Sequence, residues 1–278
     1  MFRRWHMRGA RFGEPWKATP GSDRMRSVES MLQGKTIWVT GALGQLGRSA
    51  IPMFLQQGAT LICSDIVPLE QVPAMQALAD EYGDSRFVFI QADAADEEQV
   101  KAVADEIERR FGRLDGGYFN AYKNVWKPLL DLSLEEWEAT LKGTLTSAFL
   151  CCKYAVPIMI RTGGGSIVNT SSVLGHVVKK GCLGYGAAKA GVNQLTKVIA
   201  RDYADYGIRA NALLPGDFKA PEKLARQTEH HVRMIREETY LGRSGSCDEI
   251  NQVAAFLLSD ASSYVTASLY SVDGGFHI

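Results

Sequence analysis

Three glycines set between an apolar strand and an apolar helix restrict this chain more than any other feature: Val39-Thr40-Gly41-Ala42-Leu43-Gly44-Gln45-Leu46-Gly47. The residues before them, Thr36-Ile37-Trp38-Val39, read as a buried strand, and Arg48 to Leu55 reads as a helix. Such a turn lets the backbone approach a pyrophosphate. The helix N-terminus adds free N–H groups and a partial positive charge. Gly41, Leu43, Gly44, Gln45, Leu46 and Gly47 are therefore candidate dinucleotide contacts, although three glycines also make an ordinary turn. A second strand, Ala59 to Ser64, ends at Asp65, 18 residues beyond Gly47. An acid about 20 residues on is placed to meet a ribose 2′-hydroxyl. It would repel a 2′-phosphate, which favours NAD over NADP. The competing role for Asp65 is a strand-end turn former.

From Gly34 onward, apolar strands alternate with helical patterns. Strands are expected at 35–40, 59–64, 86–91, 114–119, 165–170, 207–213 and 268–272. Helices are expected at 44–57, 69–82, 96–112, 133–161, 182–206 and 247–258. Asp96-Glu97-Glu98 puts acids where a helix dipole prefers them, and Ser133 with Glu136 is spaced as a capping box. The alternation predicts an α/β fold: a single-domain, doubly wound, mostly parallel seven-stranded sheet of the Rossmann type. A charged, His-bearing helical pair around 221–240 interrupts it and reads as a lid or substrate loop. Residues 1–33 are expected to be a disordered basic extension, with Met25 or Met31 as alternative starts, and 34–278 the folded domain.

The 31 basic and 31 acidic residues cancel, so no overall field draws the chain to nucleic acid or an anionic membrane. The most apolar stretch, Ala148 to Ile160, is too short to span a bilayer. Five cysteines show neither CxxC nor zinc spacing, which fits a reducing, cytoplasmic setting and no metal site.

Tyr185 and Lys189 are one helical turn apart in Tyr185-Gly186-Ala187-Ala188-Lys189. An ammonium beside a phenol lowers its pKa, and the phenol becomes a general acid/base for an alcohol oxygen. Ser172 ends the strand Ser166-Ile167-Val168-Asn169-Thr170, 13 residues before Tyr185, and could donate to the same oxygen; Ser171 is the competing choice.

Together with Pro215-Gly216 and Val272-Asp273-Gly274-Gly275, these residues make the chain from about 34 to 278 resemble the short-chain dehydrogenase/reductase family, in its compact form. The resemblance implies an oxidoreductase acting on a small-molecule secondary alcohol or ketone with NAD, and a homodimer or homotetramer. It implies Tyr185 as acid/base, Ser172 as positioner of the substrate oxygen, and Lys189 as the residue that binds the nicotinamide ribose and lowers the Tyr185 pKa. Asp93 and Ala94 would meet the adenine, Asn120 and Ala121 the cofactor ribose, and Pro215 and Gly216 the nicotinamide.

Three departures stand beside the likeness. The glycine spacing is that of a longer branch of the family. Phe119-Asn120-Ala121-Tyr122 carries a tyrosine where the family shows glycine. Thr144 stands where the family places an asparagine that holds a relay water; either its hydroxyl holds that water or the relay runs differently. A dinucleotide-binding protein with little turnover is the alternative these departures suggest. The substrate pocket is expected from 173–184 and 217–240, with His176, His230 and His231 as polar candidates.

Overall fold

The computed structural model describes residues 30–276. Of the basic segment 1–33, residues 1–29 lie outside these, as do 277 and 278. Residues 30–33 form a turn at the foot of the first strand, with Leu32 fully buried.

The main sheet contains β1 (Thr36–Thr40), β2 (Thr60–Asp65), β3 (Phe87–Gln91), β4 (Gly116–Phe119), β5 (Gly165–Thr170), β6 (Ile208–Pro215) and β9 (Leu269–Val272). Its order is β3-β2-β1-β4-β5-β6-β9, and every neighbouring pair is parallel. Two short strands, β7 (Phe218–Lys219) and β8 (Gly245–Ser246), pair separately. The chain winds outward from β1 to β3, then crosses back to β4. That reversal opens a crevice above the carboxyl ends of β1 and β4, where a sheet of this kind takes a ligand.

Helices cover both faces because the strands are apolar on both. In β1, Ile37 and Val39 join one core with Phe54 of α1 (Gln45–Gln56) and Ala254 of α9 (Cys247–Leu258). Trp38 points the other way, towards Val103 of α3 (Glu97–Phe111) and Cys151 of α5 (Ser147–Arg161). Continuous burial on both sides is what a central parallel strand requires. One buried polar chain links the layers: the Tyr118 hydroxyl donates to Asn251 Oδ1 at 2.9 Å, and Asn251 Nδ2 donates to the Leu46 carbonyl at 3.0 Å. It anchors the start of α1 to α9.

The helix expected over 133–161 is divided. α4 (Leu134–Leu141) runs into a π-helical turn, Lys142–Thr146, and then α5. Near the junction the Thr144 hydroxyl donates to the Lys123 carbonyl and the Ser147 hydroxyl to the Gly143 carbonyl, where they compete with the helical ladder. The whole run Leu134–Arg161 is long and apolar enough to cross a membrane, which the shorter stretch read from sequence was not. Its buried residues Leu150, Cys151, Val156 and Met159 instead pack on the sheet. The pattern at 69–82 resolves into a 3-10 turn and α2 (Pro73–Tyr82), with proline at a position it favours. α6 (Leu183–Asp202) ends before the 206 expected. The 221–240 pair is the single turn α7 (Pro221–Leu224) followed by α8 (Glu229–Glu238).

Gly47 lets α1 sit close over the turn that precedes it. A Cβ there would collide with the Ala42 carbonyl, whose carbon would lie 2.6 Å away. Because the obstacle is backbone, Gly47→Ala is expected to cost about 1–3 kcal/mol. Thermal unfolding should show it as a fall in Tm of several degrees; an unchanged Tm would contradict this packing.

Candidate active site

The loop after β1 has the shape of an anion cradle. Gly41 has φ +60°, and a Cβ on it would lie 2.9 Å from the Ala121 nitrogen. Gly44 is the N-cap of α1, with no side chain bonded to the helix end and no acid in the first turn. The first N–H groups of α1 are thus left for a ligand. The residues present fit a dinucleotide here. A cavity of roughly 470 Å³ is lined by Gly41, Gly44, Asp65, Asp93, Ala94, Asn120 and Ala121. A second, of roughly 170 Å³, is lined by Gly44, Gln45, Leu46, Ser172, Tyr185, Lys189, Pro215 and Gly216.

Asp65 closes the turn and also lines the first cavity. Oδ2 accepts from the Leu43 N–H at 2.8 Å and Oδ1 from the Val67 N–H at 3.0 Å, while the carboxylate also faces the first cavity. Leu43 turns its side chain into the core, and Gly47 packs on Ala42; neither lines a cavity. Asp93 is exposed, with Oδ1 accepting from the Ala95 N–H at 2.8 Å. Asn120 is held by its amide, which donates to the Tyr118 carbonyl at 3.3 Å, and by the Thr170 hydroxyl, which donates to its oxygen.

The ends of β5 and α6 bring the catalytic candidates together. Ser171 is spoken for, since its hydroxyl donates to the Lys189 carbonyl at 3.1 Å. The Ser172 hydroxyl accepts from the Leu174 N–H at 3.1 Å and acts on Tyr185 as a hydrogen-bond partner that lowers its pKa. This separates the two serines, which spacing alone left open.

Lys189 differs from expectation. It is 1% exposed, and its ammonium donates to the Thr170 carbonyl at 2.6 Å. Its Nζ lies 5.5 Å from the ring centroid of Tyr185 and 5.5 Å from that of Tyr122. Burial pulls its pKa down to about 7. Burial also pushes the Tyr185 phenol above its ordinary value, against the Ser172 hydrogen bond and with help from Tyr122 and Cys182. Desolvation dominates both groups, and the Lys189 side chain is directed at a carbonyl and two ring faces.

Thr144 is bonded to the 120s loop. Its hydroxyl donates to the Lys123 carbonyl at 2.6 Å and accepts from the Lys123 N–H at 3.1 Å. With the residue 1% exposed, that hydroxyl holds the 120s loop.

Sequence reasoning missed Trp126, whose ring stacks on Tyr185 at 6.5 Å, and Phe218, which lines the second cavity. No spacing rule signals either. Of the histidines, His176 and His230 are exposed, while His231 Nε2 lies 3.1 Å from Asp217 Oδ2. The same carboxylate takes the Ser244 hydroxyl and Lys219, so α8 is tied to the strand end that carries Gly216. Among the described residues no cluster of His, Cys, Asp or Glu could hold a metal.

A family model described as "Enoyl-(Acyl carrier protein) reductase" matches residues 41–277. The chain is 38% identical to a 2,5-dichloro-2,5-cyclohexadiene-1,4-diol dehydrogenase of Sphingobium indicum, over 89% of this chain and 98% of that one. It is 35% identical to a cyclohexanol dehydrogenase of Acinetobacter sp., over 90% and 97%. A short-chain type dehydrogenase/reductase from Mycobacterium ulcerans superposes with a TM-score of 0.79 at 26% identity, over 87% of this chain and 90% of that one.

The buried lysine makes stability depend on pH. Between pH 7 and the ordinary lysine value of 10.5, the unfolded chain keeps the Lys189 proton and the folded chain sheds it. In that window a rise in pH favours folding, by at most about 1.4 kcal/mol per unit; below it, both states hold the proton. Lys189→Met removes this dependence. The stability of the variant relative to wild type, from urea unfolding across the neutral-to-alkaline range, should be greatest near neutrality and decline as pH rises. A constant difference would show that the native lysine stays charged.

Proposed function

The chain belongs to the short-chain dehydrogenase/reductase family, and from that premise we propose that this oxidoreductase interconverts a secondary alcohol and its ketone with NAD. The observation that carries the reading is the convergence of Ser172, Tyr185 and Lys189 with Pro215 and Gly216 on one cavity, at the far end of the glycine cradle.

In this reading the N-terminus of α1, with Gly41 and Gly44, holds the pyrophosphate. Asp65 meets the adenosine ribose, Asp93 and Ala94 the adenine, Asn120 and Ala121 the path between the two halves, and Lys189 the nicotinamide ribose. Bound NAD supplies the carbon that accepts or returns hydride. The protein's part is to orient the substrate and move a proton. Ser172 donates to the substrate oxygen, and Tyr185 exchanges its phenolic proton with that oxygen as charge develops. A phenol with a raised pKa is protonated at neutral pH, ready to act as the acid in ketone reduction. Oxidation needs the conjugate base, so it should climb towards alkaline pH. The names of two relatives, a cyclohexadienediol dehydrogenase and a cyclohexanol dehydrogenase, favour a cyclic alcohol. Trp126, stacked on Tyr185, gives an apolar ring something to lie against. A homodimer or homotetramer belongs to the same proposal. A second reading, dinucleotide binding with little turnover, is favoured by the commitment of the Thr144 hydroxyl to Lys123.

The test is a cofactor-reduction assay with NAD and NADP on a panel of secondary alcohols that includes cyclohexanol. Tyr185→Phe is expected to lower kcat by about 100- to 10,000-fold. NAD should be preferred by at least about tenfold, equivalent to about 1.4 kcal/mol. Full activity in Tyr185→Phe would overturn the mechanism, a preference for NADP the role of Asp65. Cofactor binding with no turnover on the whole panel would select the second reading.

A further inference from the structure

Tyr122 stands where the two cavities meet. Both are lined by Gly41, Gly44, Asn120 and Tyr122, and of these four only Tyr122 carries a side chain large enough to bar the way. Asn120 is pinned from two sides inside the protein.

The backbone on either side of Tyr122 is fixed. Ala121 is pressed against Gly41, so closely that a Cβ on the glycine would lie 2.9 Å from the Ala121 nitrogen. Lys123 has both its N–H and its carbonyl bonded to the Thr144 hydroxyl, at 3.1 and 2.6 Å. What remains free is the ring itself. Tyr122 is 55% exposed, and its inner side meets Tyr185 edge-on at 5.9 Å and Lys189 Nζ at 5.5 Å. Only rotation about its own side-chain bonds can move it, and these two contacts oppose that rotation.

A molecule reaching from Asp65 to Tyr185 has to cross this point. It also competes for Lys189, whose ammonium spends one donor on the Thr170 carbonyl and presents the rest towards the tyrosine faces. We infer that Tyr122 is a gate on the dinucleotide groove: at rest its ring fills the bridge between the cavities, held by Lys189 and Tyr185, and it swings outward to let a dinucleotide lie across both. The inference rests on the reading of the groove as a dinucleotide site.

A gate that is mostly shut lowers apparent affinity by the fraction of time it is open. An aromatic pair and a cation–π contact together are enough to keep the open form to about a tenth of the population. Removing the ring should then tighten binding of the whole dinucleotide. It should leave untouched a ligand that needs only the Asp65 side.

The experiment compares wild type, Tyr122→Ala and Tyr122→Phe by direct titration with NADH and, separately, with AMP, following nucleotide fluorescence for the first and calorimetric heat for the second. Thermal unfolding checks that the fold is intact, which the exposure of the ring leads us to expect. Tyr122→Ala should bind NADH about tenfold more tightly than wild type. Tyr122→Phe, which keeps the ring, should stay within about twofold, and AMP should bind all three proteins within about twofold. NADH affinity unchanged or weakened in Tyr122→Ala would overturn the gate. So would an equal gain for AMP, which would mean that the ring merely crowds the first cavity. If none of the three proteins binds NADH or NADPH, the dinucleotide reading itself falls, a result distinct from a failed gate because it does not depend on the substitution.

Discussion

The site depends on one buried charge. Taking an ammonium out of water costs several kcal/mol, even after the protein relaxes around it. Lys189 recovers part of that from the Thr170 carbonyl, a charged hydrogen bond worth about 1.5–3 kcal/mol. It gains more from two tyrosine faces, at about 0.5–2 kcal/mol each. The gains fall short of the cost, which is why the pKa drops from the ordinary 10.5 to about 7 and the group sits near its titration point at neutral pH. The bond also has a mechanical consequence. It ties the second turn of α6 to the last residue of β5, and the Ser171 hydroxyl bonds the Lys189 carbonyl alongside it. Those two links fix where Tyr185, one turn earlier, stands relative to Ser172.

The other half of the groove is set by backbone. The reversal of strand order between β1 and β4 creates the crevice, and the glycines decide how closely other groups can approach it. Asp65 closes the loop by taking the Leu43 N–H, so one carboxylate both shapes the cradle and presents itself to the cavity. The buried Tyr118–Asn251 pair then holds the start of α1 against α9. Polar groups buried in this way, each with a partner, specify the position of a helix end more sharply than apolar packing does.

Much of this was legible in the sequence, for reasons that differ by element. Strands such as Thr36–Thr40 and Gly165–Thr170 are buried on both faces and set off by glycine on at least one side, so their runs stand out. Ser133 with Glu136, and the acids Asp96-Glu97-Glu98, announced helix starts because capping and the helix dipole are local chemistry. The π-helical turn at Lys142–Thr146 was not legible. It arises where Gly143 and Thr144 meet the 120s loop, a contact between segments about 20 residues apart. Within the site, spacing identified Ser172, Tyr185 and Lys189 as a group. It could not foresee that burial outweighs charge at Lys189 and Tyr185, because desolvation is a property of the assembled interior.

Two of the three departures from the family pattern, Tyr122 and Thr144, read from sequence as separate, turn out to be neighbours. Thr144 spends its hydroxyl on the backbone of Lys123, and Lys123 follows Tyr122 directly. The threonine thus braces the loop on which the added ring stands, and the ring in turn faces the ammonium of Lys189. From the π-helical turn to Lys189 the chain of contacts is unbroken, through one residue of loop and one aromatic side chain. A substitution at Thr144 would therefore act on the site through the placement of Tyr122, without touching the reacting atoms. Nothing in the motif spacing marks these residues as linked, because the link is made by a hydroxyl and two peptide groups.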